Sequence, residues 1–342
     1  MYNRRSFLKN MGNILAMATL PLGSAVAGNS RIIVVGGGVS GTRAAAYLKI
    51  SLPSVNIILF DSALKNVSKN NYSAIQTNYK PISKEVLDEI GVHVIADRVI
   101  QMDLADKSVS VANGKNYKAD FLVVAPGVDF KWNDIEDYVP GIEKNVTHAW
   151  RHPSNEFELW KKIESMTDGD KVVISVPEAP YCFPEGPYKR ATGIADYLKT
   201  FKPKSKLLVL DGNNAFPRMH SYQDIWRSKF PHKMLEWVSA SNGGGQSAVN
   251  IQNNTVNIAG ETIKADVLNF IPAQQAGLIA RQAGLSVDSD WCEVKSQTLE
   301  SVYFKNVFVI GDANDIHMNN KTSFAADKDA LKCVAGIKKL MS

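Results

Sequence analysis

Apolar runs of strand length alternate with helix-forming stretches along most of this chain. Within each run polar positions are few, which is typical of strands that are buried on both faces of a sheet. The runs predict strands at residues 31–35, 55–60, 121–124, 171–176 and 206–210. The other stretches predict helices at residues 42–49, 82–90, 155–166, 190–200 and 323–340. Strands and helices in this order indicate an α/β protein.

Shorter patterns predict the remaining strands. Residues 108–111 and 117–119 flank Asn113-Gly114, a pair that is typical of a β-hairpin turn. Residues 62–78 are polar and rich in Asn, Ser and Lys, and we interpret them as an irregular loop. Further strands are expected at residues 92–95, 99–102, 266–272, 302–304 and 307–313.

The first apolar run ends in the sequence GGGVSG. It places Gly36, Gly38 and Gly41 in the pattern G-x-G-x-x-G, immediately before a predicted helix. In a dinucleotide-binding turn these glycines allow a tight bend, close approach of the backbone to a pyrophosphate, and close packing of helix on sheet. The pyrophosphate would lie beside Val39 and Ser40 at the helix N-terminus, where unpaired N–H groups attract anions.

Residues at the ends of other strands extend this interpretation. Asp61 follows the second strand, twenty residues after the last glycine, and could accept a hydrogen bond from a ribose hydroxyl. Ala125 and Gly127 form an Ala-Pro-Gly turn, where the chain leaves the first domain in flavoproteins with two dinucleotide domains. Gly311 and Asp312 end the last apolar strand, and in flavin-binding domains such an acid meets a ribityl hydroxyl. These motifs predict two Rossmann-like dinucleotide-binding domains of the glutathione-reductase type, the first of which binds FAD.

The second predicted dinucleotide-binding turn lacks the glycines. After the strand at residues 171–176 the sequence reads PEAPYCFPEGPY. Proline removes backbone N–H donors, and bulky side chains would keep a pyrophosphate away from the backbone. We therefore expect a domain with the fold of a nicotinamide-binding module but without its anion-binding turn.

The N-terminal residues form a separate segment. Arg4 and Arg5 precede a short apolar stretch and an Ala-Val-Ala cleavage signal. This arrangement predicts a twin-arginine (Tat) signal peptide at residues 1–27, export to the periplasm and a mature N-terminus at Gly28. A membrane anchor is the alternative, although the apolar stretch is shorter than a bilayer of about 30 Å requires.

The expected domain boundaries follow from these motifs. The signal peptide is followed by the first part of the FAD-binding domain and by the NAD-like domain. The strand at residues 266–272 is then expected to return the chain to the FAD-binding domain. The predicted segments are residues 1–27, 28–150, 151–265 and 266–342.

The composition is ordinary for a globular protein, since 45% of the 342 residues are hydrophobic and 21% are charged. The net charge is +5, and loss of the three basic residues of the signal peptide leaves about +2. We expect no nucleic-acid binding, because no basic cluster with interleaved aromatic residues is present. No later segment has membrane-spanning length, so no stable membrane insertion is expected. The chain has three cysteines, Cys182, Cys292 and Cys333, and six histidines, and their spacing does not fit a metal site. One disulfide between two of the cysteines is possible.

Several longer stretches carry a resemblance to a known family. They read APYCFPEGPYKRA, NFIPAQQAG, a GL pair followed by WC, and GDA followed by Lys321. Through these stretches the chain resembles the flavoprotein subunit of flavocytochrome c sulfide dehydrogenase, a periplasmic relative of sulfide:quinone oxidoreductases and glutathione reductase. The resemblance extends from the twin-arginine segment through almost the whole chain, and it implies FAD, a small sulfur compound as substrate, and a c-type cytochrome subunit as partner.

The resemblance also shows where this chain departs from the family. In that family a redox-active cysteine pair lies over the flavin, and a further cysteine attaches FAD covalently. The positions that match the pair are Phe183 and Asn314, and the segment that matches the attachment site, residues 69–73, has no cysteine. The resemblance therefore implies that FAD is bound non-covalently and that the family's disulfide is absent.

Two residues remain as catalytic candidates under this resemblance. Cys182 could supply a thiol near the flavin, and the alternative is a buried small hydrophobic side chain. Lys321 could stabilise negative charge on the reduced flavin ring, and the alternative is a solvated surface lysine. We interpret Cys292 and Cys333 as structural, and His317 as a loop residue rather than a base.

Three functions follow as hypotheses. The first is a periplasmic FAD-dependent oxidoreductase that oxidises a sulfur compound and passes electrons to a c-type cytochrome. The second is a catalytically degenerate flavin-binding or interaction protein of the same fold. The third, an NAD(P)H-dependent reductase, is disfavoured by the proline-rich turn and by a periplasm that is poor in nicotinamide.

Overall fold

The computed structural model describes residues 30–62, 80–135, 138–144, 146–150, 153–318 and 320–342. The predicted signal peptide, nearly all of the loop expected at residues 62–78, and the segment 69–73 lie outside these residues. The described chain forms two compact units. The first contains residues 30–62, 80–129 and 275–342, and the second contains the described residues between 130 and 274. The chain thus passes between units after residues 129 and 274, where the sequence suggested 150 and 265.

A parallel sheet forms the centre of the first unit. Its strands are β1 (Arg31–Val35), β2 (Asn56–Phe60), β3 (His93–Ile95), β7 (Phe121–Val124) and β17 (Val307–Val309), in the order β17-β7-β1-β2-β3. The central strand β1 pairs with both β2 and β7, and four of its five residues are buried. The continuous apolar runs therefore form the buried strands that the sequence predicted.

Helices cover this sheet, and two of them pack closely on each other. The helices of the first unit are α1 (Val39–Ser51), α2 (Lys84–Glu89), α6 (Leu278–Gln282) and α7 (Ser323–Met341). Asp327 on α7 accepts hydrogen bonds from Arg43 at 3.1 Å and from the Tyr47 hydroxyl at 2.7 Å, both on α1. Thr322 caps the N-terminus of helix α7, since its side chain accepts a hydrogen bond from the backbone N–H of Ala325.

An antiparallel sheet lies beside the parallel one. It consists of β4 (Val99–Asp103), β5 (Ser108–Val111) and β6 (Asn116–Lys118). The turn between β5 and β6 contains Asn113-Gly114, and Gly114 has a φ of +85°, which only glycine adopts readily. This confirms the predicted hairpin.

The second unit has its own parallel sheet. It contains β9 (Lys171–Val176), β10 (Lys206–Asp211), β11 (Leu235–Val238) and β15 (Val267–Phe270), in the order β11-β10-β9-β15. The strand expected to return the chain to the first domain, at residues 266–272, is β15, and it pairs with β9 instead. That prediction was wrong because an apolar run specifies a buried strand but not the sheet that receives it. The α/β fold class with parallel, Rossmann-type sheets is confirmed.

Helices and a small antiparallel sheet complete the second unit. The helices are α3 (Pro153–Ser165), α4 (Gly186–Phe201) and α5 (Met219–Lys229). The small sheet contains β12 (Val249–Asn250), β13 (Thr255–Ile258) and β14 (Glu261–Lys264). Strands β8 (Val128–Phe130) and β16 (Gln274–Ala276) form a further, two-stranded sheet.

The chain around the last predicted strand differs from the expectation. Residues 302–304 form bends rather than a strand, because Val302 and Tyr303 are nearly half exposed and the N–H of Tyr303 bonds to the Ser301 hydroxyl. The following strand ends at Val309, because Gly311, with a φ of +74°, begins a 3-10 turn. Within the described ranges, no helix is long and apolar enough to cross a membrane.

Candidate functional site

The glycine turn between β1 and α1 is tightly packed at two of its three glycines. Gly36 has a φ of +107°, and a Cβ atom there would lie 2.1 Å from the carbonyl oxygen of Ala125. A Cβ atom on Gly41 would lie 1.9 Å from the carbonyl oxygen of Gly36. Real Cβ atoms do not approach backbone that closely, so both positions require glycine to bring the turn, the helix and the neighbouring strand together.

Gly38, the middle glycine, has open space instead. Apart from the two residues next to Gly38 in the chain, a Cβ atom there would meet nothing within 4 Å among the described residues. Gly38 is the N-cap of α1 and provides no side chain to bond the first N–H groups of the helix. The adjacent Ser40 hydroxyl is buried without a hydrogen-bond partner among the described residues. Free N–H groups, an orphaned hydroxyl and open space at a helix N-terminus form a cradle for an anion.

Asp61 lies beside this cradle. It follows β2, and its Oδ2 atom accepts a hydrogen bond of 2.5 Å from the backbone N–H of Gly37. The bond holds the carboxylate against the glycine turn. This is the placement that a ribose-binding acid requires.

The two other motifs predicted for the flavin site contact the same turn. Ala125 is bonded through its N–H to the carbonyl of Val35, and Gly127 follows it with a φ of +68°. A Cβ atom on Gly311 would lie 3.0 Å from the Cβ atom of Ser40 on α1. The structure therefore brings the predicted cofactor residues together within the first unit.

Lys321 is a buried anchor of the segment that follows Gly311. Its side chain is 0% exposed, and its Nζ atom donates to the carbonyl oxygens of Asp312 and Asn314, each at 2.8 Å. The same ammonium lies 3.8 Å from the centre of the Trp291 ring, which adds a cation–π contact. The alternative that Lys321 is a solvated surface residue was wrong, because carbonyl oxygens and the indole ring replace its water shell.

Asp312 lies half-buried beside this ammonium. Burial raises the pKa of its carboxyl to about 6, although the nearby charge of Lys321 opposes the shift. The ribityl contact expected for Asp312 stays a prediction.

A buried carboxylate on α7 organises the same segment, and the sequence interpretation missed it. Asp329 is 0% exposed, and its Oδ2 atom accepts from the backbone N–H of Gly311 at 3.1 Å and from the Asn314 amide at 2.8 Å. Its Oδ1 atom lies 2.8 Å from Nε2 of His317. Nothing in the sequence pairs Asp329 with His317, because the contact joins a helix to a turn that is twelve residues away.

All three cysteines are buried, and none of them forms a disulfide. Burial raises the pKa of Cys292 to about 12 and raises that of Cys333 well above its usual value. Cys182 lies in the second unit and is 7% exposed; its sulfur accepts a hydrogen bond of 3.2 Å from the Trp150 indole. The disulfide that the sequence left open does not form.

The turn after β9 in the second unit is occupied by its own residues. Nine residues separate the end of β9 from the start of α4, against three between β1 and α1. A Cβ atom on Gly212 would lie 2.7 Å from the backbone N of Glu178, so the turn packs directly against the end of β10. The space at this strand end is therefore filled by the chain.

The acid at the end of β10 is also occupied. Asp211 is 0% exposed, and its carboxylate accepts hydrogen bonds from the Tyr188 hydroxyl at 2.6 Å, the Trp237 indole at 2.8 Å and Asn213 at 2.8 Å. Burial raises its pKa, and these hydrogen bonds oppose the rise. The Tyr188 ring stacks on Phe216 at 3.6 Å between ring centres. A ribose has no access to this acid.

Two family models match overlapping parts of the chain. Residues 30–174 match the pyridine nucleotide-disulphide oxidoreductase family. Residues 157–272 match the central region of the flavoprotein chain of sulfide dehydrogenase (flavocytochrome c). These matches support the FAD-type oxidoreductase superfamily.

Individual relatives agree with the superfamily. The chain is 24% identical to mitochondrial sulfide:quinone oxidoreductase of Dictyostelium discoideum over 325 residues, covering 88% of this chain and 69% of the relative. It is similar in fold to sulfide:quinone oxidoreductase of Aquifex aeolicus, with a TM-score of 0.68, 17% identity, and coverage of 90% and 76% of the two chains. It is also similar in fold to a NAD-dependent persulfide reductase from A. fulgidus, with a TM-score of 0.62, 16% identity, and coverage of 90% and 59%.

The residues of the first unit fit FAD. Gly38 leaves open space that a pyrophosphate would occupy. Ser40 offers a buried hydroxyl that would bond to it. Asp61 would face a ribose, and Asp312 a ribityl hydroxyl. The FAD-type oxidoreductase expected from the sequence is therefore confirmed at the level of the superfamily, while the roles of individual site residues stay predictions.

Proposed function

We propose that this protein is an exported FAD-dependent oxidoreductase that oxidises a small sulfur compound and passes the electrons to a c-type cytochrome. The observation that carries the proposal is the contrast between an open glycine cradle at Gly38 and a closed strand end at Asp211. One unit is built to hold a flavin, and the other cannot hold a nicotinamide nucleotide in the usual way. Electrons must then come from a substrate that acts on the flavin directly.

Each part of the cradle has a task in this function. Gly36 and Gly41 set the close approach of strand and helix, and the first turn of α1 would hold the pyrophosphate. Bound FAD supplies a two-electron acceptor. Lys321 holds a fixed positive charge beside Asp312, and such a charge would favour a reduced, negatively charged flavin. FAD is proposed to be held non-covalently.

The substrate class rests on the similarity of the chain to sulfide:quinone oxidoreductases and to the sulfide dehydrogenase flavoprotein chain. Cys182 stays the candidate thiol, although its burial and its bond to Trp150 require the sulfur to become accessible before it reacts. Periplasmic location and a cytochrome partner are supported by the predicted twin-arginine segment and by the family resemblance alone.

The purified protein provides the first test. We expect a yellow protein that releases FAD on denaturation, because residues 69–73 contain no cysteine. Under anaerobic conditions sulfide, polysulfide or a thiol should bleach the flavin absorbance, and oxidised cytochrome c should restore it. Failure of every sulfur compound would contradict the proposed function.

Two variants test its finer parts. Cys182→Ser should abolish sulfide-dependent reduction while FAD stays bound, and undiminished reduction would exclude this thiol. Changing Arg4 and Arg5 together to Lys should leave the precursor in the cytoplasm. Periplasmic recovery of that double variant would contradict twin-arginine export.

An interaction scaffold is the second candidate. The observation that favours it is Asn314, which stands at a position of the family's cysteine pair and whose amide is engaged by Asp329. A protein that binds FAD but resists reduction by all sulfur compounds would have this function.

A further inference from the structure

His317 and Asp329 form a pair in which a buried carboxylate orients the imidazole ring, as in enzymes that use histidine as a general base. Nε2 of His317 lies 2.8 Å from Oδ1 of Asp329, and the Asp329 side chain is 1% exposed. The imidazole itself is 24% exposed, so part of the ring reaches solvent. A buried carboxylate that bonds one ring nitrogen fixes the orientation of the ring and leaves the other nitrogen to face a reactant.

The carboxylate is itself fixed from two further sides. The backbone N–H of Gly311 and the side-chain amide of Asn314 both donate to its Oδ2 atom. Oδ1 therefore remains for the imidazole. In the tautomer that satisfies this bond, Nε2 carries the proton and Nδ1 carries the lone pair.

The pair lies on the segment that holds the flavin-site residues. Gly311 and Asn314, whose N–H groups donate to Asp329, flank Asp312 along the chain. The other ionisable groups near this segment are Asp312 on the 3-10 turn, Lys321 after it, and Asp329 on α7. Cys333, also on α7, lies near Asp329 and is fully buried.

We infer that His317 is the proton acceptor for the S–H group of a small thiol substrate, and that Asp329 is its positioning residue. The inference rests on the proposed function. In this step the S–H bond breaks, its electron pair stays on sulfur, and the proton forms a bond to Nδ1 of His317. The Asp329 carboxylate stabilises the resulting imidazolium, and the exposed part of the ring returns the proton to solvent.

The acidity of the substrate explains why we infer a thiol rather than sulfide. A thiol with a pKa of about 8.5 is only about 3% ionised at pH 7, so a base is needed to produce the electron-rich thiolate. Hydrogen sulfide is a stronger acid, so a much larger fraction of it is ionised at the same pH. A fixed imidazole would therefore contribute much to the oxidation of a thiol and little to that of sulfide.

The tautomer is tested without substrate or flavin. In apoprotein labelled with ¹⁵N-histidine, we expect the His317 signal, identified by its loss in His317→Gln, to show a proton on Nε2. In Asp329→Asn this fixed tautomer should be lost. A proton on Nδ1 in the unaltered protein would overturn the inference.

The role as a base is tested by anaerobic reduction of the bound flavin with L-cysteine and with sulfide. In His317→Gln, reduction by cysteine at pH 7 should fall at least about tenfold, and reduction by sulfide no more than about twofold. The defect with cysteine should shrink as the pH rises to about 9, where solvent ionises the thiol. Dithionite reduction and FAD content should stay unchanged. His93→Gln, an exposed histidine of the same unit, is the matched control.

The outcomes separate the two proposals. If cysteine reduces the unaltered protein and the His317→Gln variant equally well, or if only sulfide reduces the flavin, the inference about His317 is wrong and the proposed function stands. If no sulfur compound reduces the unaltered protein, both are wrong.

Discussion

The turns after β1 and after β9 join a buried parallel strand to a helix in two related sheets, and they differ at every point that matters for a dinucleotide. In the first unit three residues make the connection, and Gly38 leaves open space at the helix N-terminus. In the second unit nine residues make it, and they pack against Gly212 at the end of the next strand.

The acids that follow β2 and β10 show the same difference. Asp61 is partly exposed and accepts a hydrogen bond from the backbone N–H of Gly37, whereas Asp211 is fully buried and accepts from Tyr188, Trp237 and Asn213. Two domains with the same fold therefore need not bind the same kind of ligand. The same strand-turn-helix step forms a binding site only where the turn leaves open space and backbone donors at the helix N-terminus.

The largest effect is expected from a side chain on Gly41. In Gly41→Val the new Cβ atom would lie 1.9 Å from the Gly36 carbonyl oxygen, which is backbone and cannot move aside. We expect a loss of more than about 4 kcal/mol in the free energy of unfolding. Urea denaturation of the apoprotein measures it, and a loss below about 1 kcal/mol would contradict the packing described for the turn.

Gly38→Val should affect the ligand and not the fold. Apart from the two residues next to it in the chain, no described residue lies within 4 Å of the added Cβ, so the stability of the apoprotein should change by no more than about 1 kcal/mol, the cost of a poorer N-cap. The affinity for FAD should fall about 100-fold or more, because the side chain would occupy the space of the pyrophosphate. Flavin fluorescence titration checks this, and full retention of FAD would place the pyrophosphate elsewhere.

In the second unit the hydrogen bonds that Asp211 accepts should contribute to the stability of the fold. Tyr188→Phe removes the hydroxyl that donates to this carboxylate at 2.6 Å and leaves a buried acceptor short of one donor. We expect a loss of about 1–3 kcal/mol. Tyr197→Phe, on the same helix α4, is the matched control and should change stability by less than about 0.5 kcal/mol. Equal effects of the two variants would show that the hydroxyl does not hold Asp211.

The smallest effect concerns Asp312 and depends on pH. Burial raises its folded-state pKa to about 6, above the unfolded value, so its ionisation weakens the fold as the pH rises through this range. Asp312→Asn should therefore stabilise the apoprotein above about pH 6, by about 1 kcal/mol because the carboxyl is partly exposed, and the gain should vanish below about pH 4. Urea denaturation of both proteins at pH 4 and pH 8 measures this difference in stability. If Asp312→Asn were more stable at pH 4 alone, the direction given for the pKa shift of Asp312 would be wrong.

The sequence predicted the parts of this molecule that local chemistry determines. The glycines at 36, 38 and 41, the hairpin at Asn113-Gly114 and the buried strands all follow from short patterns, and the structure places them as expected. The assignment of residues 266–272 to the first sheet failed, because strand partners depend on contacts far along the chain. Helix α5 and the strands between residues 235 and 264 were not predicted at all.

The candidate site was predictable in the same measure. Gly311 and Asp312 could be predicted because they follow an apolar strand. The burial of Lys321 against Trp291 could not be predicted from the residues next to either of them in the sequence. The bond between His317 and Asp329 joins a turn to the second turn of a helix, and neither neighbourhood is unusual on its own. Such pairs emerge only when the elements pack.

One measurement tests the contrast between the two units most directly. The purified protein with its bound FAD is mixed anaerobically, in parallel samples, with a sulfur compound and with NADH or NADPH, and the flavin absorbance is followed. We expect sulfide or a thiol to bleach the flavin and both nicotinamide nucleotides to leave it oxidised, because in the second unit the turn after β9 is filled and Asp211 at the end of β10 is buried. Rapid bleaching by NADH or NADPH, with no response to sulfur compounds, would contradict this function.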